Sequence, residues 1–219
     1  MGPVIALVGA ESTGKTTLAH TLALELRALG RPAARVAEYL REFCDTQGRT
    51  PRPEEQGPIA DEQWRRIEAA AQDGSIVLAD TTPLMIAVYS EFVFGDRSLY
   101  AQAIERQHRC AHTLLTGLDL AWQPDGLQRD GAQVRGPVDG LIRNALASAA
   151  LPYSVVYGEG PARKAAALAA LRPLLKLPPA PATNDGDGDG VRLRARCREC
   201  LLPECEHLAS RLAAKTRPP

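Results

Sequence analysis

A glycine-rich turn between an apolar run and a helical pattern constrains this chain more than any other feature. The apolar run is Pro3–Val8, and leucines at helical spacing follow the turn as far as Leu29. Between them, GAESTGKT at residues 9–16 matches G-x-x-x-x-G-K-[ST] in full. A preceding strand and a following helix are the context that a phosphate-binding loop requires. We therefore favour a nucleotide-binding loop over a glycine-rich turn without a ligand.

Each part of this loop has a chemical reason to be there. Gly9 and Gly14 let the backbone turn so that its N–H groups face phosphate oxygens, and the helix N-terminus adds partial positive charge. Lys15 is expected to reach the β- and γ-phosphates, and the Thr16 hydroxyl to ligate Mg²⁺. The sequence therefore predicts a site for ATP and Mg²⁺. The predicted nucleotide contacts are Gly9, Ala10, Glu11, Ser12, Thr13, Gly14, Lys15, Thr16 and Thr17.

Short apolar segments alternate with helical patterns over residues 1–176. The five strand candidates are Pro3–Val8, Ala34–Ala37, Ser75–Asp80, 113–119 and 153–158. Short apolar strands separated by helices indicate a parallel sheet that is covered on both faces. We therefore predict an α/β fold, the three-layer P-loop NTPase fold with a five-stranded parallel sheet, for a kinase or ATPase domain of residues 1–176.

Side chains at the ends of the predicted strands are candidates for the chemistry, together with Lys15. Asp80 suits a carboxylate near Mg²⁺, the alternative being a helix N-cap. Glu38 suits a general base that takes the proton of a substrate hydroxyl, the alternative being a surface acid. Arg41 follows one helical turn later and is expected to contact phosphate or pair with an acid. Ligands of parallel sheets bind at the carboxyl ends of the strands, so these side chains are expected at one site.

The polar, glycine-containing segment at residues 122–136 has the composition of a lid. It carries Arg129 and Arg135. Small-molecule kinases close such a loop over the phosphates, which excludes water and adds positive charge during phosphoryl transfer. The alternative is an ordinary polar surface loop. Both arginines are therefore candidate nucleotide contacts, and the sequence leaves open which one acts.

Four stretches of the sequence together resemble a known family. They are GAESTGKTTLAHTLA, VAEYLREF, the stretch from Gln63 to Asp80-Thr81, and WQPDG. This combination resembles the ribosylnicotinamide kinase domain of the bifunctional NAD-biosynthesis regulator family and its AAA-like ATPase relatives. The resemblance covers about residues 3–175, and Thr82 departs from it where the family has a second Asp. It implies an ATP-dependent kinase acting on a small-molecule hydroxyl, of nicotinamide riboside or another nucleoside. The rings expected near the acceptor are Tyr39, Trp64, Tyr89 and Phe92.

A second class of function stays open because kinases and nucleotide switches share the P-loop. In this alternative the chain is a regulatory P-loop ATPase or nucleotide switch whose tail binds a protein partner. A kinase is expected to turn over ATP slowly without an acceptor, because its lid excludes water. A switch is expected to hold or hydrolyse nucleotide whatever nucleoside is added.

The composition changes after residue 176. Leu177–Gly190 is rich in Pro and then in Asp and Gly, which is typical of a linker. Residues 191–219 form a cysteine-rich tail in which Cys197, Cys200, Cys205 and His207 lie within eleven residues. Thiolates and an imidazole at this spacing favour a Zn²⁺ site, and reduced thiols or a redox pair are the alternatives.

Charge and hydropathy limit the classes of partner. The chain has 26 Lys and Arg residues against 26 Asp and Glu residues, so its formal net charge is zero. This balance argues against nucleic acid or an anionic membrane as the main partner. The sequence shows no pattern of a signal peptide and no apolar run of about 18 residues. We therefore expect a cytoplasmic protein with a small-molecule substrate.

Overall fold

The computed structural model describes residues 1–123 and 131–179. Its five strands form one parallel sheet in the order β2-β3-β1-β4-β5. The strands are β1 Val4–Val8, β2 Ala33–Val36, β3 Ile76–Asp80, β4 His112–Thr116 and β5 Tyr153–Val156. The predicted five-stranded parallel sheet is therefore confirmed.

Helices connect the strands and cover the sheet. The described residues form α1 Lys15–Ala28, α2 Tyr39–Gln47, α3 Gln56–Ala71, α4 Pro83–Phe94, α5 Tyr100–His108, α6 Arg135–Ser148 and α7 Gly160–Leu175. Two short 3-10 turns, Pro53–Glu55 and Ala132–Val134, precede α3 and α6. No helix in the described part of the chain is both long and apolar enough to cross a membrane.

The period-two alternation of the strands builds two cores on opposite faces of the sheet. Ile5 and Leu7 of β1 pack with the leucines of α1 and α7. Val8 packs with α4 and α6, and Val4 packs with α3. Successive strand residues point to opposite faces, so a fully apolar strand such as β1 must be covered on both sides. The three-layer arrangement follows directly from this pattern.

The register brings the carboxyl ends of the central strands together. Leu7 of β1 lies beside Asp80 of β3, and Val8 lies beside Leu115 of β4. The glycine-rich loop leaves β1 between these two neighbours and enters α1. Any side chain that follows β3 or β4 is thereby brought close to this loop.

The sequence-based interpretation of residues 122–136 as one loop is wrong at its end. Arg135 and Gly136, which the sequence places in this loop, are the first two residues of α6. Gly136 and Pro137 look like helix breakers, but proline fits the first turn because its missing N–H has no intrahelical partner there. The predicted linker is wrong at its start, because Leu177 is buried and packs in the core with α1 and α7. The rest of the linker from residue 180, the tail with its four proposed Zn²⁺ ligands, and Arg129 lie outside the described residues.

Candidate nucleotide and acceptor site

The loop between β1 and α1 has the geometry of a phosphate cradle. Gly9 has φ 152°, and a Cβ atom at this position would lie 2.1 Å from Thr116 Oγ1. Gly14 precedes α1 with φ 77°. The Thr13 hydroxyl is buried and bonds Ala10 O at 2.7 Å and Thr116 Oγ1 at 2.6 Å. The glycines are therefore required by conformation and close packing, and the loop is fixed by contacts with β4.

Lys15 lies in the first turn of α1 and reaches back across this loop. Its Nζ donates hydrogen bonds to Gly9 O at 2.9 Å and Ala10 O at 2.8 Å. An ammonium group held against two loop carbonyls lies where phosphate oxygens approach a P-loop. Thr16 and Thr17 follow in the same turn with exposed side chains.

A buried arginine that the sequence did not single out holds this loop from the other side. Arg163 of α7 is 4% exposed and donates to Thr13 O at 2.8 Å and to Gly158 O at 2.7 Å. It also pairs with Asp119 Oδ1 at 3.0 Å, and Asp119 Oδ2 accepts from Gly158 N at 2.6 Å. The Arg163 guanidinium thus links the P-loop by hydrogen bonds to the segments that follow β4 and β5.

Glu38 is the residue before α2 and lines the cleft above the P-loop. Its Oε1 accepts a 3.4 Å hydrogen bond from the Thr81 hydroxyl, and its Oε2 lies 3.9 Å from Arg41 Nε. Burial raises the pKa of Glu38, the nearby Lys15 ammonium acts against this rise, and the Asp80 carboxylate adds to it. A carboxylate with a raised pKa in a cleft suits a general base.

Asp80 lies at the end of β3 and has an ion-pair partner that the sequence did not indicate. Its Oδ2 lies 3.3 Å from Arg35 Nη1 of β2. Its Oδ1 is buried and has no hydrogen-bond partner among the described residues. The next residue, Thr81, has φ 79°, a conformation that a β-branched residue adopts only under local constraint.

Gln63 of α3 supplies that constraint. It is fully buried, and its Oε1 accepts from Tyr39 N at 2.7 Å. Its Nε2 donates to Ala37 O at 3.3 Å and Thr81 O at 3.2 Å. One carboxamide therefore holds the backbone on both sides of Glu38 and the strained residue whose hydroxyl contacts it.

Substituting Gln63 by leucine is expected to lower the free energy of unfolding by about 2–3 kcal/mol, because these backbone groups lose their partner. Denaturant unfolding at neutral pH measures the change. Gln102→Leu is the matched control, since Gln102 is exposed on α5 and the same change there is expected to have little effect. Equal stability of the two variants would show that Gln63 does not hold this region.

The P-loop opens onto a cleft of about 1040 Å³. The P-loop and Glu38 line it, and so do residues of α2, the following loop, the start of α3 and α4, namely Leu40, Arg41, Cys44, Thr50, Pro51, Gln56, Met85, Tyr89, Val93 and Phe94. The cleft is large enough for two small ligands side by side, because ligand pockets commonly measure about 300–1,000 Å³.

The aromatic lining differs from the sequence-based expectation. Tyr89 lines the cleft as expected, and Phe94, the last residue of α4, lines it as well. Trp64 packs against β2 and β3 in the core instead, and Phe92 packs against the α4–α6 core. Tyr39 lies under the Arg66 guanidinium, outside the cleft.

Of the two arginines proposed for the lid, the structure describes Arg135 but not Arg129. Arg135 is 8% exposed, and its guanidinium donates to Leu120 O at 2.8 Å and Leu118 O at 3.3 Å. It therefore holds the chain after β4, and the segment it holds lines the cleft through Leu120 and Ala121. Arg129 lies outside the described residues, so a role in closure stays a prediction for it.

The residues present are compatible in type with Mg²⁺. Thr16 offers an exposed hydroxyl, and Asp80 a buried carboxylate oxygen without a protein partner in the described ranges. Residues 1–123 and 131–179 hold no cluster of three or more His, Cys, Asp or Glu side chains suited to a metal. Mg²⁺ does not require one, because it binds through one or two protein ligands, substrate phosphates and water.

Comparison with known proteins gives a family match and several structural likenesses. A family model described as an AAA domain matches residues 4–163. No curated protein sequence matches the chain significantly. The family match thus covers the whole P-loop and both strand ends that carry Glu38 and Asp80.

Among solved structures, the chain is similar to NadR protein in complex with NR, at TM-score 0.64 and 20% identity over 83% of this chain and 53% of that one. NadR protein in complex with NAD and AMP-PNP gives TM-score 0.64 and 18% identity over 83% and 52%. Thymidylate kinase from Ehrlichia chaffeensis gives TM-score 0.56 and 14% identity over 79% and 98%. The chain spans about half the length of the NadR structures. At these identities the likeness shows the fold.

Proposed function

The chain belongs to the AAA domain family, and on that basis we propose that it is an ATP-dependent kinase that phosphorylates a hydroxyl group of a small molecule. The acceptor we propose is a nucleoside, with nicotinamide riboside as the first compound to test. The observation that carries this proposal is that Lys15 and Glu38 line one cleft, with space beside them for an acceptor. The kinase and NadR structures that share the fold support it.

The P-loop is proposed to bind the ATP. The triphosphate of ATP is proposed to lie in the backbone cradle of residues 9–16, and Lys15 to exchange its bonds to Gly9 O and Ala10 O for bonds to the phosphates. Thr16 and Asp80 would hold Mg²⁺, which supplies charge neutralisation at the phosphates. Arg163 fixes the loop, so that little reorganisation is needed when nucleotide binds.

Glu38 is proposed to activate the hydroxyl group of the acceptor. The acceptor oxygen attacks the γ-phosphorus as its proton passes to the Glu38 carboxylate, and the bond to the leaving ADP oxygen breaks. Burial raises the pKa of Glu38, which makes it a stronger base than an exposed glutamate. Arg41, whose Nε lies 3.9 Å from Glu38 Oε2, keeps this carboxylate oriented and provides positive charge beside it.

The direct test is a panel of nucleosides, including nicotinamide riboside, incubated with ATP and Mg²⁺. We expect at least one nucleoside to raise ADP release well above the rate without acceptor and to gain a phosphoryl group detectable by mass spectrometry. The Lys15→Ala variant, purified identically, controls for contaminating kinases. If every nucleoside leaves ADP release at background while ATP still binds, a nucleotide switch or regulatory ATPase replaces the kinase.

A further inference from the structure

Thr81 has a backbone conformation that its own side chain disfavours. Its φ of 79° lies in the left-handed region, which crowds the Cβ atom of every residue except glycine and a β-branched residue most of all. Ala150 and Lys176 also have positive φ, but they lie in exposed turns at helix ends, where this conformation is common. Thr81 is instead 2% exposed and directly follows β3. The backbone by itself would favour glycine at this position.

The surrounding structure holds Thr81 in this conformation through several hydrogen bonds. Its backbone N–H donates to Leu7 O of β1 at 3.2 Å, and its carbonyl accepts from Gln63 Nε2 at 3.2 Å. The next residue, Thr82, is fully buried and donates to Gln107 Oε1 at 2.8 Å. A strained backbone persists only where neighbouring contacts determine it in this way, and such residues cluster at functional sites. The strain therefore directs attention to what the Thr81 side chain does.

The hydroxyl group of Thr81 contacts Glu38, the proposed base. It donates to Glu38 Oε1 at 3.4 Å, while Arg41 Nε lies 3.9 Å from the other carboxylate oxygen. The bond is long, but hydrogen bonds of catalytic groups commonly shorten when substrates bind. Glycine at residue 81 would relieve the backbone and leave Oε1 without this donor. Threonine thus supplies a hydroxyl that the conformationally preferred residue lacks.

The carboxylate of a glutamate needs such a donor to keep one orientation. Its terminal torsion has a broad energy profile, so packing alone selects no single rotation of the two oxygens. The backbone around Glu38 is already fixed, because Gln63 bonds Ala37 O and Tyr39 N. The same carboxamide holds Thr81 O, which fixes the hydroxyl donor relative to the base. The fold therefore places Glu38 and Thr81 as a pair.

We propose that Thr81 is a positioning residue, whose hydroxyl orients the Glu38 carboxylate toward the acceptor hydroxyl and whose strained backbone is retained because it presents that hydroxyl to Glu38. Thr81 transfers no proton itself, and Glu38 remains the base. Placement within a fraction of an ångström matters here, since a small displacement of a catalytic group can cost much of its effect. This inference rests on the proposed function, because it concerns the base of that same site.

The kinetic test compares three substitutions of Thr81, with nicotinamide riboside or whichever nucleoside of the panel reacts. Thr81→Ala and Thr81→Gly both remove the hydroxyl, so kcat should fall by about 10-fold in each, as expected for loss of a hydrogen bond to a charged group. Thr81→Ser keeps the hydroxyl and should retain the kcat of the unsubstituted protein. The KM and the calorimetric affinity for ATP should stay unchanged in all three, because they do not depend on the orientation of Glu38.

Thermal unfolding without ligand tests the strain independently. Thr81→Gly relieves the positive φ and Thr81→Ala does not, so the Tm of the glycine variant should be about 2–4 °C higher than that of the alanine variant. Ala150→Gly is the matched control, because Ala150 has φ 51° in an exposed turn outside the cleft. It should raise Tm and leave kcat unchanged. Equal losses of kcat in two Thr81 variants of different stability would show that turnover is not lost through unfolding.

Combination with Glu38→Gln shows whether Thr81 acts through Glu38. In that background Thr81→Ala should cause no further loss of turnover, because the effects of two residues that act as a unit are not additive. A further loss of about 10-fold would overturn the inference, since Thr81 would then act independently of Glu38. So would an unchanged kcat in the alanine and glycine variants, a serine variant as slow as the alanine variant, or a glycine variant no more stable than the alanine variant.

Failure of this inference and failure of the proposed function give different results. If the unsubstituted protein phosphorylates a nucleoside and Thr81→Gly is equally fast, the kinase is retained and the role of Thr81 is overturned. If the unsubstituted protein binds ATP but phosphorylates no nucleoside, the kinase is removed and the role of Thr81 is removed with it, whatever the Tm values are.

Discussion

Replacing Lys15 by alanine is expected to weaken Mg·ATP binding by about 10²- to 10³-fold, because the removed charge faces desolvated phosphates. The fold should survive the change. The hydrogen bonds of Lys15 described above are made within the loop, to Gly9 and Ala10, and the cores above and below the sheet do not include it. Isothermal titration calorimetry with a non-hydrolysable ATP analogue measures the loss without interference from turnover.

Lys164→Ala is the matched control for this experiment. Lys164 pairs with Glu25 at 2.6 Å on the surface, with both side chains about one-third exposed. Such pairs contribute little to stability, so this variant should bind nucleotide normally. Unchanged affinity in Lys15→Ala, with normal unfolding behaviour, would rule out the P-loop as the nucleotide site.

Replacing Glu38 by glutamine is expected to reduce kcat with an accepted nucleoside by about 10²- to 10⁴-fold, the usual contribution of a general base. Glutamine keeps the size of the side chain and can still accept from the Thr81 hydroxyl, so ATP affinity should stay close to normal. Glu42→Gln, four residues later on α2, changes an exposed acid that pairs with Arg66 and should retain full turnover. A fully active Glu38→Gln variant would show that another group removes the proton.

The pH dependence provides a second measurement on Glu38. Burial raises its pKa, so the ionised base is lost at a higher pH than an exposed glutamate would require. We expect kcat/KM to fall on the acid side through this raised value, and the fall to be absent from the residual activity of Glu38→Gln.

The raised pKa of Glu38 also affects the free energy of unfolding. A carboxyl whose pKa is higher folded than unfolded binds more protons in the native state, so the free energy of unfolding decreases as pH rises through that interval. Glu38→Gln should therefore be at least as stable as the unsubstituted protein at neutral pH. The difference should vanish at pH values below the ordinary glutamate pKa, where both states are protonated. Denaturant unfolding across this range measures it.

Local patterns in the sequence determined the fold class. The continuous apolar run of β1, which is buried at every position, and the complete P-loop motif depend only on neighbouring residues. The position of Glu38 and Asp80 at one edge of the sheet was also predictable, because Asp80 ends β3, Glu38 comes two residues after β2, and parallel strands end at one edge. The register of Leu7 beside Asp80 agrees with that reasoning.

Only the tertiary structure decided which distant groups meet at this edge. Arg163 contacts Thr13 across 150 residues, and Arg35 pairs with Asp80 across 45. No local periodicity encodes such contacts, because they depend on strand order and on how helices cross the sheet. The contacts of Arg135 with Leu118 O and Leu120 O were not visible in the sequence either, because an arginine in a polar segment has the same neighbours whether it is buried or exposed. The three hydrogen bonds of Gln63 were equally invisible in the sequence, since nothing local distinguishes this glutamine from others in the chain. They depend on the backbone groups of residues 37, 39 and 81, which only the packing of α3 against the ends of β2 and β3 brings within hydrogen-bonding distance.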